Sequence, residues 1–121
     1  MLVFGIAIAG ALGAPARFLV ERTVSARSRR RFPLGTFVVN VSGSFVLGFV
    51  TGLVLYHAFG STERAVVGTG FCGAYTTFSA FAYETVVLVE ARAYRAAAAN
   101  VVASALVPAL AAGAGIALAA L

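Results

Sequence analysis

Charge is scarce in this chain: of its 121 residues only 13 are ionisable acids or bases, nine basic and four acidic, and the mean hydropathy is +0.98. Values this far from the usual globular range exclude a soluble domain. Cysteine is nearly absent. Cys72 stands alone, so neither an internal disulfide nor a multi-cysteine metal site is available, and it reads as a small apolar filler. His57 is the one histidine and reads as an interfacial residue near the end of the second hydrophobic segment. A Ser/His/Asp arrangement, a metal-ligand cluster and a phosphate-binding loop are all missing, which points away from an enzyme. Lysine is missing too, because all nine basic residues are arginine. The arginines flank hydrophobic segments without interleaved aromatics, so no nucleic-acid partner is expected.

What the chain has is hydrophobic length. A membrane-spanning helix takes about 20 apolar residues, so residues 1–121 are expected to form one transmembrane domain of four spans, at about 2–20, 34–59, 62–91 and 94–121. The run from Met1 to Ala14 lacks the basic start of a secretion signal and reads as part of the first span. A wall this thin implies an oligomer, with a dimer as the default. In the first span Gly5, Ala9 and Gly13 form a small-residue stripe suited to close helix packing. Arg17 and Glu21 share a face four residues apart, either as mutual support at the interface or with the arginine as a structural anchor. SARSRRRFP follows as a basic turn holding Arg27, Arg29, Arg30 and Arg31. In the second span Asn40, Ser44, Gly48 and Gly52 share a face, the last two as a GxxxG pair. The fourth carries Asn100, Ser104 and Pro108 at spacings of four, with a kink expected at the proline.

With four spans, the first and third connections lie on one side. They hold Arg22, Arg27, Arg29, Arg30, Arg31, Arg92 and Arg95, against Arg64 alone in the second connection. This bias predicts cytoplasmic first and third connections and outside termini.

Residues Gly68 to Glu84, GTGFCGAYTTFSAFAYE, hold the densest polar and glycine content within a span. Each glycine weakens a helix by roughly 1 kcal/mol relative to alanine, so a break is expected near 70–76. Irregular backbone at membrane depth persists only when buried in protein or lining a polar cavity, which reads as an ion pathway. Asn40 is either interhelical glue or a ligand contact; its neighbour Ser44 and the second polar cluster favour a pore-lining donor. Phe78 and Phe81 share a face, for packing or for turning their positive ring edges towards an anion. Hydroxyls of Thr76, Thr77 and Ser79 can replace part of an anion's water shell without a trapping charge. Carbonyls freed between Gly73 and Thr76 suit a hard cation, and two chains meeting on an axis would complete an oxygen cage for a sodium ion. Glu84 reads as a functional carboxylate or as an interfacial one paired with an arginine.

The stretches GALGAPARF at Gly10 to Phe18, PLGTFVVNVSGSFVLG at Pro33 to Gly48 and GFCGAYTTFSAFAYE at Gly70 to Glu84 resemble the Fluc (CrcB) fluoride channels across essentially the whole chain. The resemblance implies an all-α integral membrane fold: four transmembrane helices per subunit, the third broken mid-membrane, in an antiparallel dual-topology-type dimer with a structural sodium ion at the interface. It implies a fluoride-selective channel of the plasma membrane that passively exports fluoride from the cytoplasm and so reduces its toxicity. By position, Asn40, Phe78 and Phe81 resemble the family's pore residues, Thr77 and Ser79 its polar track, and Ser104 a serine of its last helix. Gly73 and Thr76 resemble the sodium-holding carbonyl positions, and Arg17 and Glu84 the first-helix arginine and the glutamate after the phenylalanines. Asn100 stands where a pore-facing tyrosine is expected, leaving a polar donor without an aromatic wall. The arginine bias favours one orientation, so a homodimer and a heterodimer with an oppositely oriented homologue both stand open. Two other readings compete. A small proton-coupled multidrug exporter needs a carboxylate in the first span, and none precedes Glu21; a non-conducting membrane subunit would use the glycines for packing alone.

Overall fold

The structure is a computed structural model describing residues 1–29 and 31–121, and every regular element among them is helical. Arg30, counted above among the loop arginines, lies outside the described residues. The order is α1 (Leu2–Arg27), α2 (Leu34–Tyr56), α3 (Ser61–Arg64), a π-helical segment (Ala65–Cys72), α4 (Gly73–Tyr75), α5 (Phe78–Glu90) and α6 (Tyr94–Ala119). Three helices, α1, α2 and α6, are long and apolar enough to cross a membrane. At 1.5 Å per residue they reach about 35–39 Å, longer than a hydrocarbon core of about 30 Å. Phe4, Leu12, Phe18 and Leu19 on α1 and Val102, Leu106 and Leu110 on α6 are all more than half exposed. Such surface is costly in water and natural in lipid. The chain is an integral membrane protein.

Packing rests on small residues, as expected where lipid supplies no hydrophobic drive between helices. α2 and α6 run side by side in the same direction: Gly48 faces Ala112, Gly52 faces Ile116 and Ala119, and the His57 Nε2 atom lies 2.8 Å from the Ala119 carbonyl. At Gly48 a β-carbon would overlap the Ala112 backbone, so glycine is required there by close approach. The Gly5, Ala9 and Gly13 stripe of α1 lies against the π segment and α4; a β-carbon on Gly13 would stand 2.5 Å from the Phe71 carbonyl.

One boundary differs from the expectation, and the expected break near 70–76 is narrowed to its end. α1 continues to Arg27 instead of ending near 20, because Glu21 to Arg27 contains no helix breaker, and the chain turns extended only at Ser28. The interruption of the third segment falls at Thr76 (φ −76°, ψ 158°) and Thr77 (φ −148°, ψ 125°), while 70–75 stays helical. No glycine has a positive φ. Gly70 instead serves close approach, its absent β-carbon leaving room for Ala9 and Ile6 of α1.

Candidate functional site

The interruption is held open by side chains. An unbroken helix would send the Thr77 N–H to the Gly73 carbonyl and the Ala80 N–H to the Thr76 carbonyl. Here the Thr77 N–H is donated to Asn40 Oδ1 (2.8 Å), and Asn40 Nδ2 donates back to the Thr77 carbonyl (2.9 Å). The Ala80 N–H goes to Thr77 Oγ1 (3.2 Å), which makes Thr77 the N-cap of α5. Asn40 thus supplies from α2 what the backbone gives up. The same diversion relieves the Gly73 and Thr76 carbonyls of their regular helical donors, and Gly73 is exposed on the single chain. Thr76 Oγ1 turns back to the Cys72 carbonyl (2.8 Å), so its hydroxyl proton is spent within its own helical turn.

Beside the interruption lies a cavity of about 390 Å³. Its walls are Asn40, Gly43, Ser44 and Leu47 from α2, Thr76 and Thr77, Phe78 and Phe81 from α5, and Val101, Ser104, Ala105 and Pro108 from α6. Asn40, Thr77, Phe78, Phe81 and Ser104, singled out in the sequence, therefore meet around one space. The Phe78 and Phe81 rings are 5.5 Å apart and tilted by 54°, and Phe78 is 78% exposed, open to lipid or a second chain. Among the described residues no ionisable side chain borders the cavity. The clamp uses one of the two Asn40 amide protons, leaving the other for a guest. Chemically the space offers uncharged polar groups and two aromatic rings.

The family model described as CrcB-like protein, camphor resistance (CrcB), matches residues 4–116. The chain belongs to the CrcB family. It is similar to a protein of Leifsonia xyli subsp. xyli named fluoride-specific ion channel FluC 1, 52% identical over 97 residues that cover 80% of this chain and 71% of the relative. A Mycolicibacterium paratuberculosis protein named fluoride-specific ion channel FluC 2 is 50% identical over 101 residues, covering 83% and 79%. A Methylococcus capsulatus protein named fluoride-specific ion channel FluC is 46% identical over 103 residues, covering 84% of this chain and 45% of its own.

Not every candidate residue of this CrcB chain reaches the cavity. Ser79 is exposed and pairs its hydroxyl with that of Thr77 (3.2 Å) without lining the space. Asn100, expected on the pathway, sits behind the wall at 1% exposure. Its Nδ2 donates to Thr85 Oγ1 (2.9 Å), Thr85 donates to the Phe81 carbonyl (2.8 Å), and Asn100 Oδ1 accepts from Ser104 (3.2 Å). A buried carboxamide must find partners, and Asn100 finds two, Thr85 on α5 and Ser104 on α6.

Arg17 is partly exposed and forms no ion pair with Glu21, whose Oε1 is buried without a hydrogen-bond partner. Glu84 Oε1 accepts from the Thr36 hydroxyl (2.7 Å), while its Oε2 is buried and unpartnered. Arg31 and Glu84 border a small cavity of about 140 Å³ without forming an ion pair. No group of three or more His, Cys, Asp or Glu residues that could hold a metal ion occurs among the described residues.

Several contributors escaped the sequence reading. Thr36 precedes Asn40 by four and Ser44 by eight, so its place on that face was readable from helical spacing. Thr85 follows Phe81 by four in the same way. Gly43 carried no signal of its own: it is needed because Thr76 and Tyr75 press on α2 at that point.

Proposed function

We propose that this chain forms a fluoride-selective channel of the plasma membrane, carrying fluoride through the cavity between α2, the interruption and α6. The observation that carries the reading is a charge-free polar and aromatic lining anchored on a helix break, in a chain whose relatives are named fluoride-specific ion channels. Fluoride is small and strongly hydrated, so a pathway must replace its water with donors. The free Asn40 amide proton, the Ser44 hydroxyl and the Phe78 and Phe81 ring edges do this without a fixed charge to hold the ion too tightly. Hydrogen fluoride crosses membranes neutral and releases fluoride inside; the inside-negative potential then drives the anion out, which lowers its toxicity. A proton-coupled exporter would place a carboxylate on the path, and none borders the cavity.

The architecture follows the same reading. Because α2 and α6 run parallel, the chain must cross back between them, and Ser61 to Glu90 serves as a third span broken at Thr76 and Thr77. Two copies inserted in opposite directions then cover the exposed Gly73 and Phe78 surface. Carbonyl oxygens are hard donors that fit sodium, and the Gly73 and Thr76 carbonyls have lost their helical donors; two per chain require a second chain to complete the shell. Bound there, sodium would supply positive charge between the subunits.

Fluoride efflux from liposomes holding only this chain, with chloride as control, tests the reading. Rapid fluoride release abolished by Phe81→Ile, in protein that stays folded, is the expected result and favours a homodimer. Equal chloride release would sink fluoride selectivity. No release from folded protein would overturn self-sufficiency, and adding an oppositely oriented homologue would then decide between a heterodimer and a non-conducting subunit.

A further inference from the structure

Arg31, Arg92 and Arg95 border one cleft of about 330 Å³, together with Ala93, Tyr94 and Ala96. A topology signal explains why arginines gather at this end of the molecule, but it does not require three of them to border one cleft. No carboxylate lines the cleft, and none of the three arginines pairs with a described residue. Arg92 is the one non-glycine residue with positive φ (55°) among the described residues. It closes α5 in the manner usually left to glycine, with the Ala93 N–H on the Leu88 carbonyl at 2.8 Å. An arginine is thus kept where its backbone is disfavoured. The first turn of α6 adds potential of the same sign, for it has no side-chain cap and no acidic residue.

The cleft's surroundings select the anion. It lies where the α1–α2 and α5–α6 connections meet, at the ends of membrane-crossing helices, and Tyr94 beside it is 61% exposed. An exposed tyrosine at such a level suits the headgroup region, with its ring towards the acyl chains and its hydroxyl towards water. Guanidinium groups bind phosphate through paired hydrogen bonds. We propose that this cleft is a binding site for the phosphate of an anionic phospholipid, held by Arg31, Arg92 and Arg95. The site stands apart from the channel reading and does not depend on it.

Native mass spectrometry of the full chain in detergent, titrated with phosphatidylglycerol, phosphatidylcholine or inorganic phosphate, tests this. Phosphatidylglycerol should be retained over phosphatidylcholine, and the preference should fall about fivefold for each arginine removed, in Arg92→Gly and in the Arg31→Gln/Arg95→Gln pair. Arg92→Gly relieves the left-handed backbone, so its melting temperature should hold or rise while lipid retention drops, which separates lost binding from lost folding. Equal retention of the two lipids, or undiminished phosphatidylglycerol retention in both variants, would overturn the site. Inorganic phosphate binding as tightly as phosphatidylglycerol would overturn the lipid as its occupant.

Discussion

α2 meets α6 in two ways along its length. Around Gly48 and Gly52 the backbones touch, so closely that β-carbons would collide with Ala112, Ile116 and Ala119. Around Asn40 and Ser44 the same two helices flank a cavity of about 390 Å³, with Ser104 and Pro108 on its α6 side. The glycine half gains from dispersion and excludes everything. The polar half is kept open because Asn40 reaches past it to Thr77, and a hydrogen-bonded interruption cannot slide closed without losing both bonds. Void in a membrane helix bundle is retained where polar groups pin the backbone and removed where only small apolar residues meet.

Each half can be broken separately. Gly48→Leu should have the largest effect, at or beyond the upper end of the roughly 1–3 kcal/mol that overpacking costs, seen as loss of a monodisperse species in size-exclusion chromatography. If it stays folded yet stops conducting, the division into scaffold and site is wrong. Asn40→Ala strips the Thr77 N–H and carbonyl of their partner, at a cost of about 2–4 kcal/mol. Its melting temperature should fall and its fluoride efflux should vanish, whereas intact efflux would remove Asn40 from the site. Asn100→Leu takes the acceptor from the Ser104 hydroxyl and one donor from Thr85, which keeps its bond to the Phe81 carbonyl, at about 1–3 kcal/mol. Because Asn100 lies behind the wall, efflux should slow without being lost, and complete loss would place it on the path itself. Ser42→Ala removes the 3.0 Å contact with the Tyr75 hydroxyl, worth about 1 kcal/mol or less, and should leave efflux unchanged.

How far the sequence could be read follows from the range of the interactions involved. An all-helical membrane class is a property of local hydropathy, and the glycine stripes are a property of spacing; both are one-dimensional. Asn40, Phe78, Phe81 and Thr77 were recognisable because polar and aromatic residues at helical spacing stand out in apolar spans, and Ser104 through the family resemblance. The stretch that holds the interruption was legible to within a few residues, but its position at Thr76 and Thr77 was not. Glycines lower the cost of leaving the helix, yet Gly68 and Gly70 are used for approach to neighbouring helices and the chain opens at Thr76 and Thr77. Only there do side chains receive the freed N–H groups.

Partners distant in sequence account for the other differences. Arg17 and Glu21 have the right spacing for a pair and make none, whereas Glu84 is bonded to Thr36, 48 positions away. Asn100 has the polarity of a pathway residue and does not line the cavity; it bonds Thr85 of α5, 15 positions away, and Ser104 one turn along its own helix. Composition and spacing by themselves determined that this chain lives in a membrane, which helix faces are small, and which residue types can meet an anion. Tertiary structure alone decided where the helix opens and which polar groups face the cavity, because a buried donor or acceptor goes where a partner waits, and those partners arrive from other helices.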